Sequence, residues 1–166
     1  PVFPGTNCEY DTAKACVRAG IDPEIVVVRN LSTDLLAQSA QALEGAIRGA
    51  QMVVLPGGFS GGDEPEGSAK FICSFLRNPA LSDAIMDLLK NRDGLMLGIC
   101  NGFQALVKLG LLPFGEIRDM DDTCPTLTYN QIGRHQSRYV TTRVASVQSP
   151  SVLRCDVGDL YTKIGR

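Results

Sequence analysis

Apolar positions along this chain follow two rhythms, and the rhythms alternate. "EIVVV" (24–28), "MVVLP" (52–56) and "LMLGI" (95–99) are short continuous apolar runs, the pattern of strands covered on both faces. Between them, apolar residues recur every third and fourth position. Ala13, Cys16, Val17 and Gly20 share one helical face, and Leu36, Ala40, Leu43 and Ile47 share a second. Leu81, Ile85, Leu88 and Leu89 form a third stripe, and Phe103, Leu106 and Val107 a fourth. Asn78 before Pro79 supplies an N-cap and a first helical residue, while Gly20 and Gly110 stand where helices stop. Strands and helices alternating through short connections predict an α/β fold, a parallel sheet with helices on both faces.

Beyond Gly110 the rhythm breaks. "LLPFGEIRDMDDTCPT" (111–126) is polar and turn-rich, and reads as an excursion. "LTYNQ" (127–131) and "SRYVTTRVASV" (137–147) follow, rich in Thr, Val and Tyr, and predict added C-terminal strands. There is no internal repeat, and 166 residues suit one domain spanning 1–166.

Composition narrows the function. Sixteen basic against eighteen acidic side chains leave the chain near neutrality, without the cationic surface that non-specific nucleic-acid binding needs. No apolar run approaches the ~20 residues of a membrane span, so neither nucleic acid nor membrane is an expected partner. The opening "PVFPGTNCEY" has neither the charged start nor the apolar stretch of a signal peptide. With no initiator Met and a strand-like opening, the chain reads as an excerpt cut at both ends. None of its six cysteines forms a CxxC pair, and one histidine cannot complete the usual zinc spacing. No metal site is expected. Scattered thiols suggest a reducing, cytoplasmic setting. Cys16, Cys73 and Cys155 are expected to be small buried hydrophobes, and Cys8 and Cys124, beside turn residues, stay open.

Chemistry in an open parallel sheet collects beyond the carboxyl ends of its strands. Three loops leave such ends: "PGTN" (4–7), "PGGFSGGDE" (56–64) and "GICNG" (98–102). The last has the layout of a nucleophile elbow, in which a strand enters, a reactive residue sits in a sharp turn and a helix leaves. The limbs of such a turn pass closely, which explains Gly98 and Gly102 two residues either side of Cys100. The positive end of the following helix favours the thiolate, the nucleophilic form. The Asn101 amide would point toward an oxyanion formed on a carbonyl that Cys100 attacks. A buried structural thiol in a Gly-flanked turn is the alternative. In the second loop no GK[ST] follows the glycines, and Asp63, Glu64 and Glu66 would repel a phosphate. Gly57 and Gly58 instead suit close backbone approach, giving a second amide to the same oxyanion. An ordinary strand-to-helix connection is the alternative there.

Together, "VVLPGGFS" and "GICNGFQAL" resemble the class I, or triad, glutamine amidotransferases. Within that class, "PVFPGTNCEYDTAKA", "PGGFSGGDEPEGSAKF" and "GICNGFQALVKLGLLPFGEIRDMDDTCPTL" resemble the glutaminase domains of phosphoribosylformylglycinamidine synthases. The resemblance runs from Pro1 to about Asp159. It implies a flavodoxin-like fold and hydrolysis of L-glutamine to glutamate and ammonia. The ammonia would reach a synthase domain or subunit, fused or separate. That partner uses ATP and magnesium to turn formylglycinamide ribonucleotide into its amidine in purine biosynthesis, with no cofactor in this domain. By motif, Cys100 matches the nucleophile and Gly58 and Asn101 the residues with oxyanion-hole amides. Gln104 matches a residue holding the substrate glutamine, beside Gly57.

The family draws its general acid and base from a His oriented by a Glu two residues later, after a stretch like "VGDLYT". Here the printed sequence reads "VGDLYTKIGR" without that pair. The chain by itself is therefore expected to turn over almost nothing, since positioned acid–base groups contribute ~10²–10⁴ in rate. His135 is the single imidazole available as a substitute; a structural or interface histidine is the alternative. Two other readings compete. One is a cysteine-elbow hydrolase or chaperone of the intracellular-protease-like superfamily, whose members usually carry His directly after the cysteine, where this chain has Asn101. The other is a non-catalytic module docking on a synthase.

Overall fold

A computed structural model describes residues 1–60, 69–127 and 130–141. The chain divides into two compact units, Pro1–Asn130 and Gln131–Arg166, and every named element lies in the first. In chain order these are α1 (Glu9–Arg18), α2 (Thr33–Gly49), β1 (Met52–Leu55), α3 (Lys70–Leu76), α4 (Pro79–Lys90), β2 (Leu95–Gly98), α5 (Asn101–Leu109) and α6 (Leu111–Phe114).

The apolar runs at 52–56 and 95–99 become β1 and β2, paired in parallel from Met52↔Leu95 to Leu55↔Gly98. The run at 24–28 differs from expectation. It makes a single parallel bridge, Val2↔Val27, with the Val2 amide donating to Val26 O at 2.7 Å and the Val28 amide to Val2 O at 2.8 Å. Pairing cannot extend, because Pro4 has no N–H and Gly5 turns the chain at φ 86°. The result is a mixed helix and strand fold around a small parallel sheet.

Helix limits follow their chemistry. Ser32 caps α2 by accepting from the Leu35 amide, and Asn78 caps α4 by accepting from the Ala80 amide with Pro79 at the first turn. Gly110, at φ 91°, ends α5. The α2 and α4 stripes point inward as their spacing requires: Leu43, Ile47, Leu81, Ile85 and Leu88 are buried. With Leu55 of β1, Ile72 and Leu76 of α3, and Leu109 of α5, they form one core. Phe3 closes its edge, with its ring centroid 6.3 Å from Phe71 and 6.0 Å from Phe75, both edge-to-face. On α5, Leu106 and Val107 are buried as expected, whereas Phe103 is largely open.

The opposite face departs from the pattern. No residue of α1 is buried, so its Ala13–Cys16–Val17 face does not join the core. A cleft of about 830 Å³ lies there, lined by Ala13 and Cys16 of α1, Leu43 of α2, Val54 of β1 and Leu95 of β2. The same side of β2 stays open further along the strand, Leu97 being 45% exposed. Two-sided coverage of the strands is thus met on one face among the described residues.

Cys73 is buried, as expected, while Cys16 is only half-buried because α1 stands off the sheet. Cys124 is half-buried, its thiol 3.5 Å from Asp121 Oδ1 in a turn. Cys155 lies outside the described residues. The excursion after Gly110 opens with α6, one helical turn ended by Gly115 at φ 73°, and is irregular thereafter. Of the expected C-terminal strands, residues 127, 130–131 and 137–141 are described and carry none. A strand needs a ladder partner, and these positions have none among the described residues. Residues 128–129 and 142–147 lie outside that set. No helix among the described residues is long and apolar enough to cross a membrane.

Truncating Ile85, which has no exposure, to Ala is expected to cost about 2–5 kcal/mol. Urea unfolding should show a lower midpoint at unchanged slope; a loss below about 1 kcal/mol would take α4 out of the core.

Candidate active site

Strand β2 ends at Gly98 and α5 begins at Asn101, so two residues reverse the chain. Cys100 takes φ 51° and ψ −105°, a combination that L-residues avoid at a cost of about 1–3 kcal/mol. Hydrogen bonds hold it there. The Ile99 amide donates to Leu55 O at 3.0 Å, the Gly102 amide to Ile99 O at 2.9 Å and Pro56 O at 3.1 Å, and the Gln104 amide to Cys100 O at 3.0 Å. Both flanking glycines are required by contact. A Cβ on Gly98 would lie 2.6 Å from the Gly102 carbonyl, and one on Gly102 would strike the Leu55 carbonyl oxygen. The strand and helix limbs touch, and Cys100 at their junction is exposed. A thiol buried in hydrocarbon is not what this turn holds.

The second loop meets the elbow, and the first loop meets the second. Thr6 and Gly58 form an antiparallel bridge, and the Asn7 amide donates to Gly57 O at 3.0 Å. Gly57 lies against the elbow, since a Cβ there would be 3.4 Å from Cys100 Cβ. Gly58 needs to be glycine twice over: its φ is 95°, and a Cβ would come within 2.8 Å of the Asn7 nitrogen. In a trans peptide the carbonyl and the following N–H point in opposite directions. With Gly57 O turned to Asn7, the Gly58 N–H faces away from Asn7, and no described residue accepts a hydrogen bond from it.

Beyond Gly58, Phe59 is exposed and Ser60 is buried. The Ser60 hydroxyl donates to Asn101 Oδ1 at 3.1 Å, with both residues 3% exposed. Gln104 is half-buried on the first turn of α5. All five expected site positions, Gly57, Gly58, Cys100, Asn101 and Gln104, therefore belong to the elbow or to the loop touching it. Two further residues, Asn7 and Ser60, were not anticipated. Their signal was faint: each is one of several polar residues in a Gly-containing loop. Cys8, left open by sequence, is exposed with φ 68°, and its thiol donates to Asn7 Oδ1 at 3.0 Å. His135 is exposed and lies in the second unit. Asp63, Glu64 and Glu66 fall outside the described residues. Among the described residues, no group of three or more His, Cys, Asp or Glu could hold a metal.

Residues 1–164 match the model of the CobB/CobQ-like glutamine amidotransferase domain. The chain belongs to this family. Its relatives include proteins named phosphoribosylformylglycinamidine synthase subunit PurQ. That of Dehalococcoides mccartyi is 38% identical over 82% of this chain and 48% of its own length. That of Symbiobacterium thermophilum is 33% identical over 96% of this chain and 55% of its own. That of Rubrobacter xylanophilus is 32% identical over 97% and 59%. The chain spans about half the length of the curated relatives it matches. No solved structure matches it.

If the Cys100 backbone is strained, glycine should relieve it. Relief of about 1–3 kcal/mol outweighs the 0.5–1 kcal/mol that glycine ordinarily costs against alanine. Cys100→Gly is expected to be more stable than Cys100→Ala by about 1 kcal/mol in urea unfolding. Equal stability, or a more stable alanine variant, would show an unstrained turn.

Proposed function

We propose that this amidotransferase domain, taken as one domain over 1–166 with a flavodoxin-like fold and added C-terminal strands, is the glutaminase of a phosphoribosylformylglycinamidine synthase. It hydrolyses L-glutamine and passes the ammonia to a synthase partner, which uses ATP and magnesium to convert formylglycinamide ribonucleotide to the amidine in purine biosynthesis. The family match and the names of the relatives support the reading. The observation that carries it is the exposed Cys100 in a conformation that only a tightly held strand-to-helix turn sustains. Histidine directly after the cysteine, the usual arrangement in the intracellular-protease-like alternative, is replaced here by Asn101, and the family match does not favour that alternative. The scattered thiols support a cytoplasmic setting.

In this reading the Cys100 thiolate attacks the side-chain amide carbon of glutamine, and the carbonyl π electrons move onto oxygen. The Gly58 and Asn101 amides donate to that oxyanion. Fixed donors at the place where charge develops are worth far more than mobile water. Gly57 and Gln104 hold the glutamine against the elbow. A general acid protonates the departing nitrogen, ammonia leaves, and water then hydrolyses the thioester to glutamate and the free thiol. Resemblance assigns the acid to a His oriented by a Glu two residues later; His135 is the substitute to test.

Ammonia release from glutamine by the full chain with its synthase partner tests the assignment. Cys100→Ser is expected to lower the rate by ~10³-fold or more while leaving the melting temperature close to that of the parent. A serine variant that releases ammonia at the parent rate would remove Cys100 from the nucleophile role.

A further inference from the structure

Three polar residues are buried among the described residues: Ser39, Ser60 and Asn101. Ser39 serves the backbone of its own neighbourhood, donating to Leu35 O at 2.7 Å and accepting from the Arg29 amide at 3.0 Å. Ser60 and Asn101 instead bond to each other across a sequence gap of 41 residues. The bond joins the loop after β1 to the first residue of α5, and no helix or strand ladder makes that connection. Its placement is specific. Ser60 stands two residues after Gly58, and Asn101 is the residue directly after Cys100. These are the two positions whose amides the proposed reaction needs at a fixed separation.

A loop with adjacent glycines has unusual backbone freedom. The Asn7 amide fixes which way the Gly57–Gly58 peptide faces, and the Gly102 amide ties the loop to α5 ahead of that peptide, at Pro56 O, 3.1 Å away. Beyond Gly58 the buried tether to Asn101 ties it to α5 a second time, so that the peptide between is held from both sides. We propose that Ser60 is a positioning residue for the glutaminase reaction, holding the Gly58 N–H at the spacing from the Asn101 N–H that the oxyanion requires. The inference rests on the reading above, in which those two amides receive the oxyanion. Ser60 itself touches no reacting atom.

Two reactions at Cys100 separate positioning from general structural support. Glutamine hydrolysis passes through a tetrahedral oxyanion. Alkylation by iodoacetamide displaces iodide from a saturated carbon and forms none. In the full chain with its synthase partner, Ser60→Ala is expected to lower kcat for glutamine about 10- to 100-fold, part of the loss seen when an oxyanion donor is removed outright. KM should stay within about 3-fold, and the alkylation rate of Cys100 within about 2-fold, because neither depends on the donor spacing. Adding Ser60→Ala to Asn101→Ala should cost less than about 3-fold more, since the tether is already gone. Unchanged kcat, hydrolysis and alkylation falling together, or full multiplication of the two losses would each overturn the proposal. Should Ser60→Ala fail to stay folded, Ser60→Cys, close in volume and a weaker donor, is expected to lose about 3- to 10-fold in kcat, and parental kcat there would overturn it equally. Retained hydrolysis in Cys100→Ser would instead sink the underlying reading, whatever Ser60 does.

Discussion

Helix α5 crosses the strands so closely, at Gly98 of β2 and, through Gly102, at Leu55 of β1, that neither glycine has room for a methyl group. Everything proposed for this domain depends on that crossing. It forces the chain to reverse within two residues, and the reversal puts Cys100 into a backbone conformation of high energy. A side chain held this way cannot fold back into the core, and the thiol stays exposed. The core that resists the strain is ordinary: Leu55, Leu81, Ile85, Leu88 and Leu109 fill the space beneath the sheet, and their burial keeps both limbs of the turn in place. Packing and backbone hydrogen bonds hold the site.

Around the turn, work is divided among three loops that come from distant parts of the chain. The elbow presents the sulfur. The 57–60 loop lies against it, and the 4–7 loop holds the outer edge of that second loop through Asn7 and the Thr6↔Gly58 bridge. Such an arrangement suits chemistry in which charge appears on an oxygen beside the nucleophile, because dipoles fixed before the reaction need no reorganisation during it. Proton transfer is a separate task. The elbow and its neighbouring loop carry no imidazole, so the amidotransferase reading needs one brought to this end of the sheet.

The elbow was legible in the sequence because it combines two local signals, a change of apolar rhythm from strand to helix and glycines at fixed offsets from a cysteine. Capping was legible for the same reason, as Asn78–Pro79 and Gly110 show. What the sequence concealed is long-range. The Ser60–Asn101 bond spans 41 residues, and nothing near either residue announces the other. The Ala13–Cys16–Val17 stripe has a core-facing rhythm, yet α1 meets a cleft rather than the sheet. The run at 24–28 has strand composition, yet Pro4 and Gly5 deny it a ladder partner beyond Val2. Local pattern states what a segment can do; its neighbours decide whether it does.

The central claim is that the bent turn makes Cys100, and no other thiol of this chain, reactive toward glutamine. Peptide mapping after treatment of the full chain with a diazo-ketone analogue of glutamine tests this directly, since the thiolate becomes a thioether as dinitrogen leaves. The account predicts one adduct, on Cys100, whose formation excess glutamine suppresses. An adduct on the exposed Cys8 instead, or labelling of Cys100 indifferent to glutamine, would contradict it.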